Sequence, residues 1–302
     1  MSKKTYLEVE GVEVPVSNLD KVMYPKTGFT KGDVIQYYIA VSEWLLPHLQ
    51  SRALSLKRYP EGVEGFFFYE KECPGHRPDW IKTTRVAKTD GAINYCVIGD
   101  LPSLVWVANL ANLEFHTFLH RKAAPKRPAV LAFDLDPGPP ADILTCCKVG
   151  LALKGLFDSL GLQSFAKTSG SKGLQVYVPL NTPLTYDRTK AFAHAVAQAL
   201  ESQWPDVVVS KMLKKLRTGK VLVDWSQNDD HKTTVNAYSL RAKEHPTVST
   251  PVTWEEVKQS VKRQKPLIFE AADVLKRLKK HGDLFEPVLT LKQKLPPLRS
   301  LP

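Results

Sequence analysis

The chain has 302 residues, 43% of them hydrophobic and 24% charged, with a formal net charge of +11. That length can bury one large core or two ordinary ones, and that charge favours a polyanionic partner. No apolar run reaches the roughly 18 residues of a membrane span, and the opening Met1-Ser-Lys-Lys-Thr-Tyr6 lacks the apolar stretch of a secretion signal.

Thr30-Lys-Gly-Asp33 reads as a capping box, and Val34, Ile35, Tyr38, Ile39, Trp44 and Leu45 then recur at helical spacing. Phe66-Phe-Phe-Tyr69 reads as a strand whose aromatic rings cannot all face inward, which leaves at least one to stack on a base. Pro102 to His116 reads as a second helix with His116 at its end. Arg121-Lys-Ala-Ala-Pro-Lys-Arg-Pro128 has no periodicity and two prolines, so it reads as a connector between halves at about 1–125 and 126–302 of a single catalytic domain.

The second half alternates. Strands are expected at Val130 to Asp136, Leu174 to Pro179, Val207 to Ser210 and Lys220 to Trp225, with Ser164 to Lys167 leading into a glycine-rich turn. Helices are expected at Ala141 to Leu160 and Tyr186 to Gln203, after a cap at Thr253-Trp-Glu-Glu256, and over Glu270 to His281. The fold class is α/β or α+β with mixed sheets. Basic residues cluster at Arg121 to Arg127, Lys211 to Lys220 and Val261 to Lys280, a footprint for a polyanion. Cys73, Cys96, Cys146 and Cys147 show no Cys-x-x-Cys spacing, so neither zinc nor a disulfide framework is expected, and a reducing cytoplasm suits the chain.

Three segments point to chemistry. In Ala129-Val-Leu-Ala-Phe-Asp-Leu-Asp136 an apolar strand ends in two carboxylates at i and i+2, which puts both on one face. Like charges there need a positive counterpart, and hard divalent cations such as Mg²⁺ or Mn²⁺ prefer carboxylate oxygen. Thr168-Ser-Gly-Ser-Lys-Gly173 offers a turn whose backbone N–H groups can converge on an anion, with hydroxyls and Lys172 beside it; a triphosphate suits it, although no Walker A pattern occurs. Lys220-Val-Leu-Val-Asp-Trp-Ser-Gln-Asn228 closes another alternating strand with Asp224. Three strand-end acids and an anion nest in one α/β half read as phosphoryl transfer with a pair of metals.

In that order the three segments resemble the motifs of the archaeo-eukaryotic primase superfamily, and most of all the polymerase domain of bacterial ligase D, which serves non-homologous end joining, with its stand-alone relatives. Ser17-Asn-Leu-Asp-Lys-Val-Met-Tyr-Pro25, Lys57-Arg-Tyr-Pro-Glu-Gly62, Phe67-Phe-Tyr-Glu-Lys71, Leu113-Glu-Phe-His116 and Tyr238-Ser-Leu-Arg241 extend the resemblance over nearly the whole chain. It implies a primase-polymerase fold of two α/β halves, the second like an RNA-recognition-motif sheet, with the active cleft between them. It implies that Asp134, Asp136 and Asp224 bind two divalent ions, Mn²⁺ or Mg²⁺. Lys57, Arg58, His116, Ser169, Lys172, Gln175, Gln227 and Arg241 would contact the NTP or dNTP. Asn18, Lys21 and Lys31 would grip a 5′-phosphate across a DNA gap or break, and Phe68, Tyr69 and Arg217 would meet the template. Implied partners are gapped or broken DNA, a Ku-type protein and a DNA ligase; the implied place is the cytoplasm, at the nucleoid. One position departs from the pattern. Gly173-Leu-Gln175 stands where the motif usually has Gly-Leu-His, and a neutral glutamine makes a weaker bond to phosphate than a charged histidine.

Two other readings address the same residues. Lys88-Thr-Asp-Gly91 matches the Lys-x-Asp-Gly of ATP-dependent DNA ligases, but the Glu-Gly pairs such an enzyme needs downstream lie upstream, at Glu61-Gly62 and Glu64-Gly65. A non-catalytic DNA-binding module explains the charge and leaves the strand-end acids without a purpose.

Overall fold

A computed structural model describes residues 5–88 and 91–301; Thr89 and Asp90 of the Lys88–Gly91 segment, and residues 1–4, lie outside the described residues. The chain divides into two compact units. The first comprises Met1–Phe118, Val235–Ser249 and Phe269–Gly282, and the second Leu119–Thr234, Thr250–Ile268 and Asp283–Pro302. The expected half 126–302 is therefore not a single body, because two of its stretches belong with the first unit.

The first unit starts with a hairpin of β1 (Thr5–Val9) and β2 (Val12–Val16), then a short pair, β3 (Val22–Tyr24) and β4 (Phe29–Thr30). Helix α1 (Lys31–Leu49) begins at the predicted capping box: Thr30 Oγ1 accepts from Asp33 N at 3.1 Å and the Asp33 carboxylate accepts from Thr30 N at 2.7 Å. Its Val34, Ile35, Tyr38, Val41 and Leu45 are buried. There follow β5 (Leu54–Arg58), β6 (Phe68–Glu70), β7 (Lys82–Lys88), β8 (Gly91–Val97), α2 (Leu101–Asn109) and β9 (Asn112–Phe118). The strands lie in the order β9-β5-β8-β7, and β6 also pairs with β5.

Two expectations fail here. The helix expected to run to His116 ends at Asn109; Ala111 turns the chain at φ 58°, and His116 sits on β9, a strand buried along its whole length. Short apolar runs cannot be assigned to helix or strand by periodicity, and only the left-handed residue separates them. Cys73 and Cys96 form a disulfide with an S–S distance of 1.95 Å, while Cys146 and Cys147 are free and buried. The half-cystines are 23 residues apart in sequence and meet because Cys73 N donates to Asn94 O at 2.7 Å, laying that loop along β8. Spacing along the chain holds no trace of that.

The second unit contains β10 (Val130–Pro137), α3 (Ile143–Ser159), β11 (Phe165–Thr168), β12 (Leu174–Pro179), α4 (Tyr186–Gln203), β13 (Val208–Val209) and β14 (Val221–Asp224). β15 (Thr233–Val235) leads out of it. Later, β16 (Pro251–Val252) and α5 (Trp254–Arg263) belong to this unit, α6 (Ala271–His281) to the first, and α7 (Glu286–Thr290) to the second again. The sheet runs β13-β14-β10-β12-β11-β16, antiparallel except where β13 meets β14. Helix α3 covers one face: the Phe133 and Phe157 rings lie 5.5 Å apart, and Gly150 leaves room for Leu135 and Leu174. Side chains alternate on a strand, so Asp134 and Asp136 point to the other face. The whole is a mixed α/β structure with seven α-helices among the described residues, none long and apolar enough to cross a membrane.

Candidate active site

Register brings the acids of the second unit together. Asp134 on β10 lies opposite Asp224 of β14 on one side and Gln175 of β12 on the other, and Gln175 in turn lies opposite Lys167 of β11. One row across four strands thus reads Lys167, Gln175, Asp134, Asp224. Asp136 follows two residues along on the same face. Burial pushes the Asp134 carboxyl up to about 6; a hydrogen bond from Gln175 opposes it, the charges of Asp224 and Asp136 add to it, and Lys167 opposes.

The neighbouring acids are braced by basic and amide groups. Asp136 accepts from Arg217 at 3.1 Å and pairs with Lys172 Nζ at 3.0 Å. Asp224 Oδ1 accepts from Ser226 N at 2.8 Å, and its Oδ2 from Gln227 Nε2 at 3.1 Å. Arg217 and Gln227 therefore hold carboxylates. Gln175 is buried, taking Lys167 Nζ on its Oε1 at 2.5 Å and donating to Thr234 at 3.3 Å. Lys167, only 1% exposed, supplies beside it the positive charge a histidine at 175 could have carried. Sequence reading passed over Lys167, because a lysine inside an apolar strand looks like any edge lysine until its register is known.

The turn after β11 is shaped by glycine. Gly170 sits at φ 66°, and a Cβ on Gly173 would stand 2.2 Å from Leu135 O, so only glycine lets the turn approach β10 this closely. The anion nest expected here is partly closed on itself: Ser171 N and Gly173 N donate to Ser169 Oγ at 3.2 and 3.0 Å. Lys172, largely exposed, is the group of this turn that reaches outward, beside Asp136.

The first unit carries a separate cluster. Lys57 on β5 lies opposite Glu114 of β9 and Tyr69 of β6. Glu114 Oε1 accepts from Lys57 at 3.3 Å and from Tyr59 at 3.1 Å, and its Oε2 meets His116 Nε2 at 2.9 Å and Arg241 Nε at 3.3 Å. Lys57, His116 and Arg241 are so brought together around Glu114, an acid of the Leu113-Glu-Phe-His116 segment whose purpose shows only once β9 is paired with β5. Arg58 is not part of that set; it bonds Glu70 at 2.7 Å and Leu110 O at 2.8 Å. Phe66, Phe67 and Tyr69 are exposed, while Phe68 is more sheltered, stacked on Phe66 under the Arg58 guanidinium.

Asn18, Lys21 and Lys31 also converge. Lys21 N donates to Asn18 O at 3.1 Å, Lys31 N to Lys21 O at 2.8 Å, and Lys31 Nζ to Ser17 O at 2.7 Å. Lys31 opens α1, where the helix N-terminus adds its own positive potential.

Comparison with known proteins gives this geometry a family. Residues 30–285 match the model of the LigD primase-polymerase domain. The structure resembles the polymerase domain of Mycobacterium tuberculosis ligase D in complex with DNA, with a TM-score of 0.86 and 38% identity over 93% of this chain and 99% of that one. The chain belongs to the LigD primase-polymerase family. Its chemistry is nucleotidyl transfer, which accords with the acids on β10 and β14. Curated LigD relatives are the multifunctional non-homologous end joining protein of Mycolicibacterium smegmatis, 39% identical over 91% of this chain, and the bifunctional one of Bacillus subtilis, 35% identical over 92%. The chain spans 36% and 45% of their respective lengths.

LigD polymerase domains depend on a metal, and the strand-end acids here are oxygen donors of the kind a hard divalent cation takes. Asp134 and Asp136 on β10 and Asp224 on the adjacent β14 offer three carboxylates, and Asp134 has its proton affinity raised by burial and then by the other two. A second group, Asp229, Asp230 and His231, is the one among the described residues whose ligand atoms lie close enough together to share an ion; its Asp229 meets Lys190 at 2.6 Å and its Asp230 meets Lys126 at 2.5 Å, as Asp136 meets Arg217 and Lys172. Asp134, raised in the folded state, contributes stability at low pH that is lost as pH rises through about 6. Mn²⁺ should reverse that loss. At free metal about 100 times its Kd the gain is about 2.7 kcal/mol, and it should shrink below pH 6 as protons compete. Calorimetry at pH 5 and 7.5 with and without Mn²⁺ measures it, and a metal-independent melting temperature at pH 7.5 would reject the assignment.

Proposed function

We propose that the chain is a template-directed polymerase that adds ribo- or deoxyribonucleotides to a DNA 3′-hydroxyl, filling gaps and ends in double-strand break repair by non-homologous end joining. The observation that carries this reading is the register of Asp134 opposite Asp224, with Asp136 on the same face. Two divalent ions held by these acids would supply Lewis-acid chemistry, lowering the pKa of a hydroxyl and neutralising charge on a phosphate. The remaining roles fall to the chain. Ser169 and Lys172 orient the triphosphate beside Asp136, while Lys57, His116 and Arg241 receive the nucleotide; Arg58, on the opposite face of β5 and near Lys31, is left out of that role. Arg217 and Gln227 keep Asp136 and Asp224 aimed, with Arg217 also towards the template. Exposed Tyr69 stacks on template bases at roughly 1–3 kcal/mol per base, and Phe68, covered by Phe66 and the Arg58 guanidinium, supports the template contact through Phe66.

Asn18, Lys21 and Lys31 take a 5′-phosphate. Burial, with Lys21 and Arg58 nearby, lowers Lys31 to about 8, so its charge is present below that pH and lost above it. Preference for a 5′-phosphorylated gap should therefore weaken as pH rises from 7 to 9, and a Lys21→Ala/Lys31→Ala variant should show no such preference at any pH. Competition between phosphorylated and unphosphorylated gaps reads both, and a preference that survives in the double variant rejects the assignment.

Gapped or broken DNA and nucleoside triphosphates are the proposed ligands, a Ku-type protein and a DNA ligase the proposed partners, and the nucleoid the proposed place of work. DNA affinity should fall steeply with salt, with a slope of about −0.9 for each phosphate neutralised. The deciding experiment is gap filling with ribo- and deoxyribonucleotides, with Mn²⁺ or Mg²⁺, on ends with and without a 5′-phosphate. No extension under any of these conditions would leave a DNA-binding module as the reading.

A further inference from the structure

Glu114 is 2% exposed, and five groups converge on its carboxylate: Lys57 Nζ, Tyr59 Oη and Ala242 N at Oε1, His116 Nε2 and Arg241 Nε at Oε2. Burial disfavours its charge, but the bond from His116 and the charges of Arg241, His116 and Lys57 outweigh that and hold the carboxyl well below its usual range. An ionised carboxylate only accepts. His116 Nε2, 2.9 Å from Oε2, must therefore carry a hydrogen whatever the charge of the ring. Nδ1 is left as the ring nitrogen not committed to Glu114.

We propose that Glu114 is a positioning residue: it sets His116 as the Nε2–H tautomer and holds Lys57 and Arg241, so that Nδ1 and two cations are presented together to a nucleoside triphosphate. The triphosphate rests on the nucleotide-pocket reading above; the tautomer does not. Neutral His116 offers phosphate a lone pair at Nδ1, whereas the protonated ring offers an N–H. Affinity for a triphosphate should therefore rise as pH falls and Nδ1 takes up a proton. Burial, then Arg241 and Lys57, work against that proton, and Glu114 favours it. The other titratable groups at the cluster are Tyr24 of β3, Tyr38 of α1, Tyr59 beyond β5 and Tyr69 of β6, all raised above their ordinary value and so neutral throughout the range.

Nitrogen-15 NMR of the imidazoles in the full chain tests the tautomer directly. His116 should show a protonated Nε2 and a bare Nδ1 at pH 8, and the reverse pattern would overturn the proposal without any variant. Calorimetric titration with ATP tests the positioning. Glu114→Gln keeps the shape and loses the charge: Kd should weaken tenfold or more, KM should rise in step with little change in kcat, and the His116 midpoint should move down. Glu114→Asp should fall between. A Kd that tightens would mean that Glu114 is only an anion competing for Lys57 and Arg241, and an unchanged Kd and midpoint would mean that it positions nothing; either overturns the proposal. If Lys57→Met and Arg241→Met leave ATP affinity unaltered, the pocket reading falls, while the NMR result still decides the tautomer.

Discussion

Replacing Asp134 by Asn should reduce nucleotide transfer by at least about 1,000-fold and at the same time raise the melting temperature of the metal-free protein. The two effects have one cause. Asp134 is crowded by Asp224 on the adjacent strand and by Asp136 on the same face, with its charged form disfavoured by burial. Asn keeps the volume and can still accept from Gln175, so removing the charge relieves repulsion without leaving a polar group unpaired. The same charge is what a divalent cation needs. Losing a ligand forfeits several kcal/mol of charge stabilisation in the transfer step, and about 4 kcal/mol corresponds to three orders of magnitude in rate. DNA affinity should stay within a few-fold, since the basic groups are untouched. Primer extension, a DNA-binding titration and thermal melts on one preparation test all three. Retained extension would remove Asp134 from the chemistry, and a lowered melting temperature would contradict the electrostatic account.

Gly173→Ala should destabilise the second unit and disable it together. The added methyl would sit 2.2 Å from Leu135 O, a backbone atom between Asp134 and Asp136, so no side chain can swing aside to make room. The strain should reach roughly 3 kcal/mol, the upper end for overpacking, and the β10 backbone that yields to it carries both carboxylates. Gly155→Ala is the control: it lies in α3 with nothing within 4 Å of its would-be Cβ and should stabilise by up to about 1 kcal/mol. Chemical denaturation and extension assays on the pair separate a local clash from a general intolerance of alanine. Near-equal behaviour of the two variants would mean that the turn and β10 are not in close contact.

Much of the fold was legible because local chemistry decides it. The capping boxes at Thr30 and Thr253, the strand at Leu174–Pro179 and the helix at Tyr186–Gln203 all follow from side chains a few residues apart. Asp134, Asp136 and Asp224 stood out for a similar reason, as charges closing apolar strands. What stayed hidden depends on which strand lies beside which. Lys167 and Glu114 are charged residues in buried strands, and each has a purpose only once Gln175 or Lys57 is seen opposite. The Cys73–Cys96 bond and the turn at Ala111 belong to the same class: one needs a loop laid along a strand, the other a single backbone angle.

The interleaving of the units bears on how the chain is made. A ribosome releases residues in order, yet the first unit lacks Val235–Ser249 and helix α6 until the whole of Leu119–Thr234 has been translated ahead of them. Its earlier strands must wait, or fold provisionally, while the sheet bearing the acids takes shape in between. Nonsense mutations or proteolytic nicks between residues 235 and 282 should therefore cripple the part encoded first, and expression of residues 1–125 alone should yield an incomplete body.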